Sequence, residues 1–274
     1  MNTRWNIRIS LVALLLLTSF SLKGEELKPN LALRVGEELN YKVKYSIMTL
    51  GSLNFKILGR DTLHGRPVYH CILYINSDVP FVTIHDIYES WMDEEIYSHR
   101  FFAYERKKNY TLFTSYDIDY NKKEIRIIEK KMTESDTVIT LDSIAVINTD
   151  RKIQDGLTIL FYARAMAKYK KKMSVPVFVF NELKYTFINF TGERKQVKAK
   201  GKKYKAFYLD GWLKFVGIAG IKEGFKGWFS PDAQSIPLRA HMEAFIGHVT
   251  IQLDSWNNWE PEMSYGEVST SGEN

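Results

Sequence analysis

Alternation of apolar and polar residues runs through most of this chain and constrains its fold more than any other feature. Leu39, Tyr41, Val43, Tyr45 and Ile47 alternate with Asn40, Lys42, Lys44 and Ser46. A period of two sends successive side chains to opposite faces of a β-strand, here with one face wet. Leu53, Phe55 and Ile57 alternate with Asn54 and Lys56 in the same way, after the break Thr49-Leu50-Gly51-Ser52. The turn residues His64-Gly65-Arg66-Pro67 lead into strand patterns over 68–76 and 81–92, and others fit 95–106, 110–119, 123–131 and 137–147. The pattern resumes over 175–181, 183–191, 194–200, 203–209, 212–217, 225–230, 237–246 and 248–255. So many strands joined by short turns predict a largely antiparallel sheet. No repeat of fixed period is present, which disfavours a propeller or solenoid.

One segment departs from that period. After Asp155-Gly156, residues Leu157, Leu160, Phe161 and Ala165 recur at i, i+3, i+4 and i+8, and Lys168, Lys170, Lys171 and Lys172 follow. An acidic cap and lysines in the last turn favour one amphipathic helix near 156–169. The expected architecture is mainly β: an extended antiparallel sheet curved into a partial barrel, or two continuous β lobes, with one central α-helix. The lobes are expected over 22–150 and, with the helix, 151–256. From Asn257 to Asn274 the chain carries Glu260, Glu262, Glu267 and Glu273 without Lys or Arg, and a flexible acidic tail is expected.

The first 21 residues read as a secretory signal. Arg4 and Arg8 form a positive start, Leu11 to Phe20 is an apolar stretch, and Ser19 and Ser21 supply small residues for cleavage near Ser21, with Gly24 as a second choice. The stretch is short for a membrane span, which needs roughly 20 residues. The one cysteine, Cys71, lies far downstream in the apolar run Val68 to Tyr74, so a lipid anchor of the bacterial lipoprotein type is not encoded there and a buried, inert thiol is expected. A single cysteine also excludes a disulfide framework and a zinc site built on several thiolates. The expected product is exported, periplasmic or beyond, and peripheral at most to a membrane.

Three stretches resemble one family. Gly36-Glu37-Glu38-Leu39-Asn40-Tyr41-Lys42-Val43 with Gly51 looks like its opening hairpin, and Gln154-Asp155-Gly156-Leu157 with Tyr162-Ala163-Arg164 looks like its central helix. Trp228-Phe229-Ser230-Pro231-Asp232 followed by Ile236-Pro237-Leu238-Arg239 is similar to its closing hairpin. The family is the bacterial exported proteins known as domain of unknown function 3108. The resemblance implies an envelope protein of a Gram-negative-type bacterium and no particular activity. The matched residues also have local readings: Asp155 suits a helix cap, Ser230-Pro231-Asp232 is turn chemistry, and Arg164 on an apolar helix calls for a buried acid.

Catalytic constellations are sparse. There is no Gly-x-Ser-x-Gly elbow, phosphate loop, dinucleotide fingerprint or His-Glu-x-x-His helix. His85, Asp86 and Glu89 lie near Asp93, Glu94 and Glu95, and on one strand His85, Glu89 and Asp93 would share a face. That cluster would serve a metal-dependent or acid/base hydrolase, although a solvated strand face is the simpler account. His241 and Glu243 share a face as a weaker metal pair. No cofactor is implied. Asn109-Tyr110-Thr111 and Asn189-Phe190-Thr191 match glycosylation acceptors, without meaning in a bacterial envelope protein.

Charge is more informative because it is uneven. Residues 164–226 carry 16 basic and 4 acidic side chains, whereas residues 22–150 carry 17 basic and 20 acidic. Two clusters make up most of the excess over 164–226: Lys168, Lys170, Lys171 and Lys172, then Arg194, Lys195, Lys198, Lys200, Lys202, Lys203 and Lys205. Lys198, Lys200 and Lys202 are expected on one strand face opposite Val197 and Ala199, and with Lys203 to meet the acidic part of a partner. Such a field suits an anionic partner: lipid head groups, lipopolysaccharide or acidic polysaccharide. Nucleic acid would fit the same electrostatics but not an exported protein. A wet, aggregation-resistant strand edge is the alternative. Tyr88, Trp91 and Phe101 belong to a stretch apolar on both strand faces, expected either as core or as a face open to an apolar ligand. A curved antiparallel sheet with a helix in its mouth has the general shape of periplasmic lipoprotein and lipid carriers, a likeness of fold only. The leading functional expectation is a non-catalytic binding or envelope-maintenance protein for an anionic amphipathic molecule. A hydrolase and a module docking through a sheet edge are the alternatives.

Overall fold

A computed structural model describes residue 29 and residues 31–80, 82–213, 221–244 and 247–261. The signal expected over 1–21 and most of the expected tail lie outside the described residues.

Eight strands come first: β1 (Glu38–Tyr45), β2 (Met48–Leu63), β3 (Arg66–Val79), β4 (Val82–Met92), β5 (Ser98–Arg106), β6 (Thr111–Asp119), β7 (Glu124–Met132) and β8 (Thr137–Val146). The helix α1 (Thr158–Met166) follows. Six more strands follow among the described residues: β9 (Lys170–Val179), β10 (Glu182–Ala199), β11 (Lys202–Leu213), β12 (Ile221–Phe229), β13 (Pro237–Ala244) and β14 (His248–Asn257). All 14 strands form one antiparallel sheet in the order β8-β7-β6-β5-β4-β3-β2-β1-β14-β13-β12-β11-β10-β9. The chain therefore winds outward from β1 to one edge, crosses through α1 to the other edge, and winds back until β14 pairs with β1. The sheet does not close: β8 and β9 are its ends.

Hairpin geometry follows from turn chemistry. His64-Gly65, Phe180-Asn181 and Lys200-Gly201 each place two residues at positive φ between paired strands, which matches the right-handed strand twist. Gly192, at φ +67, sits in a bulge of β10 between Phe190 and Arg194. That bulge keeps one 18-residue strand continuous where the alternation read as two, 183–191 and 194–200. Likewise β11 runs through the expected boundary between 203–209 and 212–217.

The helix is shorter than expected. It ends at Met166, and Lys170, Lys171 and Lys172 open β9, opposite Thr191, Phe190 and Asn189 of β10. Pairing with a neighbouring strand outweighs the modest helix preference of lysine. The expected cap is present: Asp155 Oδ1 accepts the backbone N–H groups of Leu157 and Thr158 at 2.7 and 2.8 Å, while Asp155 N–H donates to Thr158 Oγ1.

Curvature brings the two arms of the sheet face to face around α1. Tyr116 on β6 packs edge-on against Phe178 on β9, and its hydroxyl donates to Asn181 Oδ1 at 3.0 Å. Phe161, Ala165 and Met166 of α1 are buried in the same core as Ile57, Cys71, Ile118, Ile188 and Phe190. Burial pushes the Cys71 thiol far above its ordinary range, as expected for an inert core cysteine. A second core holds Leu39, Tyr41, Val197, Ala199, Tyr204 and Leu253 together with Trp259. Trp259 is 4% exposed and its Nε1–H donates to Asp232 Oδ2, so the anchored chain extends past the point where the tail was expected to begin.

Candidate functional site

The three motif stretches meet in the interior. Arg164, on α1, donates Nη1–H and Nη2–H to the two carboxylate oxygens of Glu37 at 2.7 and 2.8 Å. It also donates Nε–H and Nη2–H to the carbonyl of Gln234, whose own side-chain amide donates to Glu37 and to the carbonyl of Asn258. The paired side chains are 1% and 2% exposed. The acid required by Arg164 is thus Glu37, 127 residues away in sequence. Buried charges persist only when paired and hydrogen-bonded, as here. The network joins the entry to β1, the helix and the turn before β13, and Glu37, Arg164 and Gln234 are all buried.

The basic cluster is the surface feature. On the β10–β11 hairpin the register sets Val197 opposite Tyr204, Lys198 opposite Lys203 and Gln196 opposite Lys205. Directly opposed residues share a face, so Arg194, Lys198, Lys203 and Lys205 point to the outer side while Val197, Ala199, Tyr204 and Ala206 enter the second core. This revises the expected grouping. Lys202 stands opposite Ala199, on the other face from Lys198, because the two-residue turn at Lys200-Gly201 resets the alternation. Lys200 occupies that turn at φ +45, with its ammonium 5.4 Å from the Trp256 ring. Arg239 on β13, on the side of Trp228 and Tyr208, donates to the Lys198 carbonyl at 2.6 Å. Among the described residues, no carboxylate lies within ion-pair distance of Arg194, Lys198, Lys200, Lys202 or Lys205. The approach of Arg239 was not anticipated, because β10 and β13 are not neighbours in the sheet.

The aromatic group does not form one face. Tyr88 and Phe101 stack at 6.1 Å on the inner side, and Phe101 is buried in the main core beside Tyr116. Trp91 is on the opposite side of β4, stacked on His70 at 4.1 Å and packed with Leu63, Val68 and Phe102. Odd and even positions of a strand diverge, so Tyr88 and Trp91 could not share a surface. Of the two expectations for this stretch, the structure shows core packing.

The candidate hydrolase residues are likewise separated. His85 lies 2.8 Å from Asp78, Glu89 lies 2.6 Å from His70, and Asp86 accepts the Arg106 backbone N–H on the other face. Burial raises the Asp86 carboxyl above its usual range. Asp93 serves the β4–β5 connection: it accepts the Glu95 and Tyr97 backbone N–H groups and pairs with His99 and Lys152. Although burial alone would raise it, the His99, Tyr97 and Lys152 contacts hold the Asp93 carboxyl below its usual range. Among the described residues no three His, Cys, Asp or Glu side chains come together as a metal site would need. None of the described helices is long and apolar enough to cross a membrane.

His241 and Glu243 share a face of β13 as expected, with His248 directly opposite Glu243 and diagonal to His241. The two imidazoles stack at 4.1 Å, with Trp228 edge-on to His241. Burial, then the charges of His248, Arg239 and Lys226, lower the His241 pKa to about 4 from its ordinary 6.5. The unfolded chain binds a proton at His241 from about pH 6.5 downward while the folded chain resists until about pH 4, so this residue subtracts stability as pH falls through that window. Replacing His241 by Gln is expected to flatten the acid side of a urea-midpoint profile between those values; an unchanged slope would refute it.

Over residues 40–254 the sequence matches the model of the family described as Protein of unknown function (DUF3108). Among curated proteins none matches. The fold is similar to the crystal structure of a beta-barrel-like protein of domain of unknown function DUF1849 from Brucella abortus. The TM-score is 0.54 at 10% identity, covering 84% of this chain and all of that one.

Proposed function

The chain belongs to the DUF3108 family, and from that premise we propose that it is an exported, non-catalytic binding or envelope-maintenance protein that recognises an anionic amphipathic envelope molecule through the β10–β11 hairpin. One observation carries the reading: Lys198 stands directly opposite Lys203, with Lys205 and Arg194 on the same outer face. Like charges directly opposed across a strand pair cost stability, and no described acid offsets Lys198, Lys205 or Arg194. Arg194, Lys198 and Lys205 thus concentrate positive charge that an external anion would neutralise. The inward Tyr88 and Phe101 are committed to the core, so the apolar share of the contact falls to residues at the hairpin itself, with Trp256 beneath Lys200.

Sedimentation with vesicles tests this. The protein is expected to bind phosphatidylglycerol-containing vesicles and not pure phosphatidylcholine, with affinity falling as salt rises. Each surface lysine contributes about 1 kcal/mol near an anionic membrane, so Lys198→Ala with Lys205→Ala should weaken binding roughly 10- to 30-fold. Salt-insensitive binding, or none to any anionic vesicle, would overturn the reading.

A further inference from the structure

A cleft of about 570 Å³ opens along β9, between the β4–β5 connection, the segment just before α1, and α1 itself. We propose that it is a second binding site, for a small phosphorylated amphiphile or the phosphorylated head of a larger one. The phosphate would lie between Arg151 and Lys171, and the apolar part against Tyr97, Tyr162 and Met173.

Charge decides the polar end. Two carboxylates line the cleft, Glu95 and Asp150, and each is already matched: Lys152 Nζ is 2.8 Å from Glu95, and Lys123 Nζ is 3.2 Å from Asp150. Arg151, Lys171 and Lys172 are exposed, and among the described residues none has an acid within ion-pair distance. On β9, Lys171 shares the face of Met173 while Lys172 points to the other. The two cations Arg151 and Lys171 at one opening fit a group of charge near −2, which a phosphomonoester carries at neutral pH and a single carboxylate does not. Arginine adds a planar fork suited to phosphate oxygens.

The other end is apolar. Tyr97 and Tyr162 have ring centroids 6.4 Å apart, and the Tyr162 hydroxyl points to Met173 Sδ at 3.6 Å. Val175 and Pro176, both buried, continue that lining. The wall formed by β9 is the sheet's terminal strand, which among the described residues is bridged on its outer side only at Val177, by Gln154. A cleft of this volume holds a drug-sized ligand rather than a whole diacyl lipid. None of these residues belongs to the β10–β11 hairpin, so the two sites can be tested apart.

Isothermal titration with dihexanoyl phosphatidic acid below its micelle concentration, and separately with inorganic phosphate, provides the test. The short-chain amphiphile is expected to bind at least tenfold more tightly than inorganic phosphate. Arg151→Glu with Lys171→Glu should abolish both, with the thermal midpoint unchanged because both side chains are exposed. Lys198→Ala with Lys205→Ala should leave both intact, which separates a failure here from a failure at the hairpin. Absence of binding, equal affinity for the two probes, or binding that survives the Arg151/Lys171 reversal would each overturn the proposal.

Discussion

Arg164→Ala is expected to destabilise the protein by about 3–5 kcal/mol, the cost of leaving one member of a buried ion pair without its partner. The substitution strands the Glu37 carboxylate, 2% exposed, and removes both donors to the Gln234 carbonyl. It also opens a void beside Phe161, over which the guanidinium lies at 5.1 Å. Urea denaturation would measure it. The informative comparison is Glu37→Gln with Arg164→Met. That pair removes both charges, keeps an acceptor for the Gln234 amide and fills much of the volume, so it should be clearly more stable than Arg164→Ala alone. If the double variant is no better, the loss comes from packing rather than from an unpaired charge.

That network also marks where sequence reasoning reached its end. Alternation located nearly every strand because a half-buried sheet enforces a period of two, and the helix was visible as the one break in it. The need of Arg164 for an acid could be read from an otherwise apolar helix. Its identity could not, because Glu37 is adjacent to Glu38 in sequence and only the closing of β1 on β14 shows which of the two turns inward. Lys202 illustrates a different limit. Counting by twos is valid within a strand, and a two-residue turn returns the chain with Ala199 and Lys202 opposed. Lys170 to Lys172 illustrate a third: a lysine run after a helix looks like its last turn unless a neighbouring strand claims it, and β10 does. Tyr88 and Trp91 are three apart, an odd spacing that on a single strand already separates their faces.

Asp155 gives the second large effect, and it separates a charge from a shape. Its carboxylate is 0% exposed and accepts four hydrogen bonds: two from the backbone at the start of α1, and two from the Ser90 and Ser98 hydroxyls at 2.6 and 2.5 Å. Asp155→Ala removes the cap and leaves two buried hydroxyls without an acceptor, for an expected loss of roughly 2–5 kcal/mol. Asp155→Asn keeps a carbonyl for the two backbone N–H groups, and its amide can donate to a serine oxygen, so it should be far milder. The pH dependence distinguishes the two roles further. Burial, which outweighs the four hydrogen bonds, raises the Asp155 carboxyl above its ordinary 3.8. The folded chain therefore holds this proton more tightly than the unfolded one, and the residue's contribution to stability falls as pH rises from about that value through the raised one. The stability difference between wild type and Asp155→Asn, followed from acid to neutral pH, should shift against the wild type over that interval and then level off. A difference that is constant with pH would mean that Asp155 acts through its hydrogen-bonding shape alone, and that the charge buried between Ser90, Ser98 and α1 carries no linkage to protons.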